Sequence, residues 1–529
     1  MPTQDLLIYS GGRAVFRRLT LAVVVATVGV ALVSVSASAH QRAPAHRAAA
    51  ASTKFGIQNG CKTPLGVKKC WVAGVYNGDY SGMNDRQYTG PPAQASGGHP
   101  FVGVTDFIVA NTKTITGASQ PNGTVKSIRV AIPPGLVSNP QATPKCSESA
   151  LTGGTCPSNT QVGVVQLEVF ETAINAFVGE SVYNMNPSSS HCKGYATDYS
   201  FYVALLKQQV DVCGTVNKNP PYNLYFTIQV PSGSQLVRST LIFWGVPGDT
   251  GHNSQRGWSC VSLNVLGTCK PPASGKSNPK GKAFLTNPTG CVPKGQISKL
   301  KLTSTTNQSA FARSKTPVPA INCAKLPFGP NVNLGLSGQG ETTVNKHPTL
   351  TATVTQGPGQ SNIKLSTVTL PLSIALDPTN SNHVCSVKDA KADTCPASTI
   401  VGSARVKTPL LTSPLTGDVY LVQGIKIIHG HKYRTFPALL LALRGKAAID
   451  LHAKTSVSKK SQLVTTFPGL PDLPMSAFTL TINGGKKGIL VLNGNICRHA
   501  QKAGVAFTGH NGKSTQSTVT MATSACKSG

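Results

Sequence analysis

The residues whose types and spacing could do chemistry together are few. The densest group follows Phe243-Trp244-Gly245-Val246-Pro247, where Asp249, His252 and Arg256 share one loop bracketed by Trp244 and Trp258. An acid, an imidazole and a guanidinium on one loop can make a polar ligand site, and an exposed indole offers a face for a sugar to stack on. The same residues also read as a turn stabilised by Asp and Gly, with both indoles buried as large aromatics usually are. His429 and His431 flank Gly430 and precede Lys432 and Arg434. Two imidazoles at i and i+2 share one face of a strand and can bind a metal, but a polar hairpin turn between two strands is the preferred reading. Glu168 and Glu171 are close in sequence, yet in a strand they fall on opposite faces.

The longer motifs are incomplete. There is no H-E-x-x-H and no acidic calcium loop. Gly335-Leu336-Ser337-Gly338-Gln339 lacks the last Gly of a nucleophile elbow. Gly275-Lys276-Ser277 and Gly512-Lys513-Ser514 end like phosphate loops without the Gly that opens one. No catalytic residue, metal ligand or cofactor is therefore assigned, and the Trp244–Trp258 loop stands as the ligand-loop candidate.

The fourteen cysteines contain no C-x-x-C pair, which argues against zinc ribbons and thioredoxin-like chemistry. Neighbours fall close together: Cys61 and Cys70, Cys146 and Cys156, Cys260 and Cys269, Cys385 and Cys395. These read as local structural disulfides formed in an oxidising compartment. Cys192/Cys213, Cys291/Cys323 and Cys497/Cys526 would complete seven pairs, a completion that spacing alone does not fix.

Short strands must position all of these groups. Ile128–Ile132 alternates and stops at Pro133-Pro134. Asn223–Val230 is rich in aromatic and β-branched residues. Phe478–Ile482 alternates, meets Asn483-Gly484, and is followed by Ile489–Leu492, a hairpin signal. The helix candidates are two short ones, Ser147–Leu151 and Ser386–Ala392. Many short strands punctuated by Gly, Pro and Asn predict an all-β protein of sandwich-like units.

An internal repeat divides the chain. Val130-Ala131-Ile132-Pro133 matches Val368-Thr369-Leu370-Pro371, Thr155-Cys156-Pro157 matches Thr394-Cys395-Pro396, and Val162-Gly163 matches Val401-Gly402, at offsets of 238 or 239 residues. Phe243–Pro247 parallels Phe467–Pro471 at a shorter offset of 224. The expected organisation is a first β-rich half over 56–330, a linker over 331–348 and a second half over 349–529. The repeat cores lie near 124–247 and 362–471, with C-terminal hairpins over 472–529.

Four segments carry a resemblance: T-C-P-x-x-T-x-V-G (Thr155–Gly163), F-W-G-V-P (Phe243–Pro247), F-L-T-N-P-T-G-C (Phe284–Cys291) and L-P-D-L-P-M-S-A-F-T-L (Leu470–Leu480). With these the chain resembles an uncharacterised family of exported, cysteine-stapled, β-rich actinobacterial-type proteins. The resemblance implies export and architecture. It transfers no activity and no catalytic residue.

The N-terminus fits export. Arg13, Arg17 and Arg18 precede an apolar run from Leu19 to Val35, and Ala37-Ser38-Ala39 matches a signal-peptidase site, so residues 1–39 read as a signal peptide and 40–55 as a flexible linker. The alternative is a retained single anchor. No transmembrane segment is expected in the mature chain. The whole chain carries 49 Lys and Arg against 18 Asp and Glu, and beyond residue 39 there are 46 against 17, or +29. The excess is spread: residues 331–529 hold 20 basic and 7 acidic residues. Such a field attracts polyanions, here an anionic cell-wall polymer or polysaccharide. Sequence-specific nucleic-acid binding is not indicated, because no recognition motif is present and aromatics are only 6%. The expected function is a secreted, non-enzymatic binding or structural protein of the extracellular space or cell envelope. The alternative is a secreted hydrolase acting on polysaccharide or another envelope polymer, which a His/Asp/Glu cluster around Asp249 and His252 or around His429 would favour.

Overall fold

A computed structural model describes residues 54–61, 69–78, 80, 94–263, 281–292, 296–315 and 320–526. The expected signal peptide and most of the expected linker lie outside these residues. Ala51–Gly529 form one compact unit. The unit is all-β, and the longest helix among the described residues has six residues. None of the described helices is long and apolar enough to cross a membrane.

Two large sheets build it. The first contains β1 (Trp71–Tyr76), β2 (Val102–Ile108), β3 (Val125–Ala131), β4 (Gln161–Glu171), β5 (Ile174–Met185), β6 (Thr197–Val203), β7 (Gln208–Val216), β8 (Leu224–Gln229), β9 (Leu236–Trp244), β10 (Ile297–Ser304) and β11 (Ser309–Lys315). Their order in space is β1-β2-β9-β4-β5-β6-β7-β8-β3-β10-β11, and Ser259–Leu263 adds to β5. The second sheet contains β12 (Asn331–Ser337), β13 (Thr349–Thr355), β14 (Ile363–Thr369), β15 (Ile400–Lys407), β16 (Leu415–Ile428), β17 (His431–Leu443), β18 (Ile449–Val457), β19 (Leu463–Phe467), β20 (Ala477–Ile482), β21 (Lys502–Gly509) and β22 (Ser514–Thr520). Its order is β12-β13-β20-β15-β16-β17-β18-β19-β14-β21-β22, with Ala522–Thr523 beside β12. Each strand of the second sheet thus takes the place of the strand eleven before it. The short pair Val137–Ser138 with Leu285–Thr286 likewise recurs as Ile374–Leu376 with Leu490–Leu492.

Each sheet rolls until its ends meet, which leaves no long free edge. In the first, the Ala73 amide donates to Ser314 Oγ at 3.0 Å and Lys69 Nζ donates to the Phe311 carbonyl at 2.8 Å. In the second, β12 pairs in parallel with Ala522–Thr523, which directly follows β22. Alternation decides which side chains enter the roll. In β10, Leu300 and Leu302 are buried while Lys299 and Lys301 face out.

The repeat is therefore longer than the sequence matches suggest, and one match is displaced. Phe243 pairs with Gly163, and Ile482 pairs with Gly402, so Phe243 corresponds to Ile482 at the constant offset of 239. The Phe467–Pro471 segment instead begins at the last residue of β19, the counterpart of β8. Gly163 and Gly402 have one role: a Cβ would lie 2.1 Å from the Ile242 carbonyl oxygen in one copy and 2.0 Å from that of Thr481 in the other.

Two expectations need correction. Residues 331–348, read as a linker, contain β12, which pairs along its length with β13. Asn483-Gly484 does not turn a hairpin either. β20 pairs with β13 and β15, while Leu490–Leu492 pairs with Ile374–Leu376. Gly484 is required for close approach, since a Cβ there would lie 2.4 Å from the His347 carbonyl oxygen.

Six disulfides are described: Cys61–Cys70, Cys146–Cys156, Cys192–Cys213, Cys291–Cys323, Cys385–Cys395 and Cys497–Cys526. Cys260 is also disulfide-bonded, and Cys269 lies outside the described residues. The two ten-residue bridges enclose equivalent helices, α1 (Glu148–Thr152) and α2 (Val387–Ala392). Ser147 caps the first by accepting from the Ala150 amide, and Ser386 caps the second by accepting from the Asp389 amide.

The halves are joined by specific polar contacts. Asp472 accepts from the Thr289 amide at 2.9 Å and from Asn362 Nδ2 at 2.8 Å. Lys218 pairs with Asp393 and Asp450, and Arg444 pairs with the same two carboxylates. Tyr222 enters the core of the second half and donates to the Asp450 carbonyl at 2.7 Å.

Candidate functional site

The Trp244–Trp258 loop folds into a plug at the end of β9 with its aromatic side chains buried. Asp249 caps a short 3-10 turn over Thr250–Gln255, its Oδ1 accepting from the Gly251 amide at 2.8 Å. His252 lies between two rings, 4.2 Å from Phe101 and 4.8 Å from Trp244. Burial lowers its pKa to about 4, so the ring is neutral at physiological pH. Arg256 is buried too. It donates to the carbonyls of Pro247 and Asp249 and sits over the Trp244 ring. Trp244 donates to Gln255 Oε1 at 3.1 Å, and Trp258 belongs to the same buried cluster. Asp249, His252, Arg256 and the two indoles are thus brought together, but Asp249 and Arg256 bond groups of the loop itself, His252 is buried, and neither indole presents a face to solvent.

His429 and Gly430 form the two-residue turn between β16 and β17, both with positive φ, 49° and 83°. His429 and His431 are exposed. No group of three or more potential metal ligands occurs among the described residues.

A polar cluster lies elsewhere, on β6, β7 and the segment between β5 and β6. His191 Nδ1 is 2.7 Å from Asp211 Oδ2. The Ser200 hydroxyl lies 2.7 Å from Asp198 and 2.8 Å from Asp211, and Gln209 donates to Asp211 at 2.7 Å. One hydroxyl carries one proton. Burial raises the Asp198 pKa to about 7, so below neutrality its carboxyl can supply the second proton and complete a chain from Asp198 through Ser200 to Asp211. The hydrogen bond to Asp211 raises the His191 pKa. Sequence gave no sign of this cluster, because its members are spread from 191 to 211 and meet only through strand pairing.

One opening is apolar. A cavity of about 200 Å³ lies in the second half and reaches the seam with the first. Ala352, Val354, Leu411, Leu451, Leu473 and Met475 are among its lining residues, and Leu224 and Phe226 reach it from the first half. Ser138, Thr197, Thr215, Gln356, Ser366 and Thr408 contribute the sparse polar groups. Leu411, Leu470, Leu473, Met475 and Phe478 are only half-buried, so solvent reaches this apolar wall. The signal for it in the sequence was apolar residues in Pro-punctuated loops, Leu410-Leu411 and Leu470-Pro471-Asp472-Leu473-Pro474-Met475.

No family model matches the chain and no curated protein matches it. Among solved structures, one similar chain is described as "Biofilm associated protein - B domain", at 8% identity over 85% of this chain and 84% of that one, with a TM-score of 0.14. Another is a "Putative membrane anchored protein from Corynebacterium diphtheriae", at 6% identity over 85% of this chain and 89% of that one, with a TM-score of 0.17. Likeness at that level carries no argument, so function rests on this chain's own residues.

Proposed function

We propose that the chain is an exported, non-enzymatic binding protein of the extracellular space or cell envelope, and that its second half holds a small apolar ligand or the apolar end of a larger one. The cavity carries this reading: a mostly apolar concavity with a few polar groups is the common form of a small-molecule site. Its volume exceeds the ~150 Å³ of an engineered apolar cavity that takes up benzene. The disulfides suit an oxidising compartment, and the spread basic charge suits attachment to anionic envelope polymers.

Titration of the mature protein with a fluorescent polyene fatty acid tests the cavity. Saturable binding is expected, with Ala352→Phe weakening it at least tenfold while the melting temperature holds or rises. Ala352→Leu is the milder filling variant should the Phe disturb folding. Absence of binding, or equal binding by the filled variants, refutes the reading. Charge attachment is tested by sedimentation with purified walls at increasing salt, which should release the protein. A secreted hydrolase is the second reading, favoured by the Asp198–Ser200–Asp211–His191 chain. Release of reducing ends from a wall polymer, abolished in Asp198→Asn, would establish it.

A further inference from the structure

The second half carries a projecting ribbon that the first half lacks. β15 pairs with β16 only up to Tyr420, and β18 pairs with β17 only from Leu439 onward. Between these limits β16 and β17 pair with each other alone, from Gly424 opposite Thr435 to Ile428 opposite His431. A register shift between Val422 and Gly424 marks where the ribbon leaves the roll. At the equivalent point of the first half, β5 and β6 pair at only three positions, and the connection between them is tied down by Cys192–Cys213. The fold therefore does not require the ribbon.

Its composition is unusual for a free two-stranded ribbon. Ile427 is 66% exposed, Tyr433 51% and Phe436 46%, and Ile425 and Ile428 are exposed as well. Every charged or titratable side chain from 423 to 436 other than Tyr433 is basic: Lys426, His429, His431, Lys432 and Arg434. Register sets Ile425 beside Arg434, Ile427 beside Lys432 and Tyr433 beside Lys426. Directly opposed residues share a face, so both faces mix apolar and basic positions.

We infer that this ribbon inserts its tip into the surface of an anionic lipid bilayer. A blade apolar on both faces is covered at once by a fluid medium, whereas a folded partner would need a slot matching both. Interleaved cations meet lipid phosphates while their stems lie along the acyl boundary. The inference does not depend on the cavity, and the fatty-acid titration above reads the cavity separately.

The test is sedimentation of the mature protein with phosphatidylcholine vesicles containing or lacking 30% phosphatidylglycerol. Binding to the anionic vesicles is expected, with at least a tenfold loss in Ile427→Ser/Phe436→Ser, a double variant that keeps every charge and should leave fatty-acid binding unchanged. Tyr433→Trp supplies a direct readout. Trp71, Trp244 and Trp258 are buried, so a blue shift on adding vesicles, quenched by brominated lipid, reports the ribbon. Failure to bind, binding that survives the double variant, or ribbon-dependent self-association without vesicle binding each overturns the inference.

Discussion

His252 should make the first half acid-sensitive by a calculable amount. The ring is 1% exposed, stacked on Phe101 and Trp244, and neither ring nitrogen has a hydrogen-bond partner within the protein. Burial lowers its pKa from 6.5 to about 4; Arg256 adds to the shift and Asp249 opposes it. The unfolded chain therefore binds a proton below pH 6.5 that the folded chain refuses until about pH 4. Stability is full above 6.5 and is lost as pH falls through that interval, by roughly 2–3 kcal/mol at pH 4.5. His252→Phe removes the titrating group and keeps a ring between the two aromatics. Asp198 and Glu180, each raised to about 7 by burial, act with the opposite sign: their favourable protonation is lost as pH rises from the ordinary carboxylate range toward 7. These contributions are common to both proteins and cancel in the difference. Guanidinium unfolding followed by tryptophan fluorescence reports this half, because all three indoles lie in it. The stability of His252→Phe relative to wild type should rise by roughly 2–3 kcal/mol between pH 7.5 and 4.5, whatever its offset at pH 7.5. Parallel profiles for the two proteins would refute the account.

Gly163→Ala and Gly402→Ala should be similarly and severely destabilising, by several kcal/mol each in thermal unfolding, since each Cβ meets a backbone oxygen near 2 Å. Gly494→Ala, where nothing lies within 4 Å, should be tolerated. Replacing Cys385 and Cys395 together by Ser should cost about 3 kcal/mol for a ten-residue loop, with hydrogen-exchange protection lost first around α2. Asp472→Ala leaves the Thr289 amide and hydroxyl and Asn362 Nδ2 without their acceptor. It should cost about 2–3 kcal/mol and speed proteolysis between Leu326 and Asn331.

The all-β class, the two capped helices and the ten-residue bridges were legible because each is written locally. Ser before a short helix bracketed by cysteines needs no distant partner to be recognised. The full extent of the repeat was not legible, because most strands of the two copies share only register and order. Similar turn chemistry in Phe243–Pro247 and Phe467–Pro471 even pointed to the wrong pairing, and strand partners corrected it. The Trp244–Trp258 residues were rightly seen as neighbours, but sequence could not tell an open loop from a closed plug. That difference lies in Phe101, far away in the chain, stacking on His252. The cavity depends on packing between strands more than a hundred residues apart and leaves only the apolar loop residues as a trace. The ribbon was visible as a His-Gly turn, but its exposure follows from where β15 and β18 stop.

The described disulfides have one further property: each closes before the next begins, and none joins one half to the other. Two rolls of the same strand order are prone to exchanging equivalent strands while both are unfolded. A chain that meets oxidant gradually, from its N-terminus, offers each arriving cysteine its native partner as the nearest free thiol. Refolding from the fully reduced state presents every thiol together and should scramble. For a chain exported N-terminus first, as proposed above, the order of the described bridges makes direction of synthesis a folding aid, keeping two rolls of the same strand order from being knitted into one another.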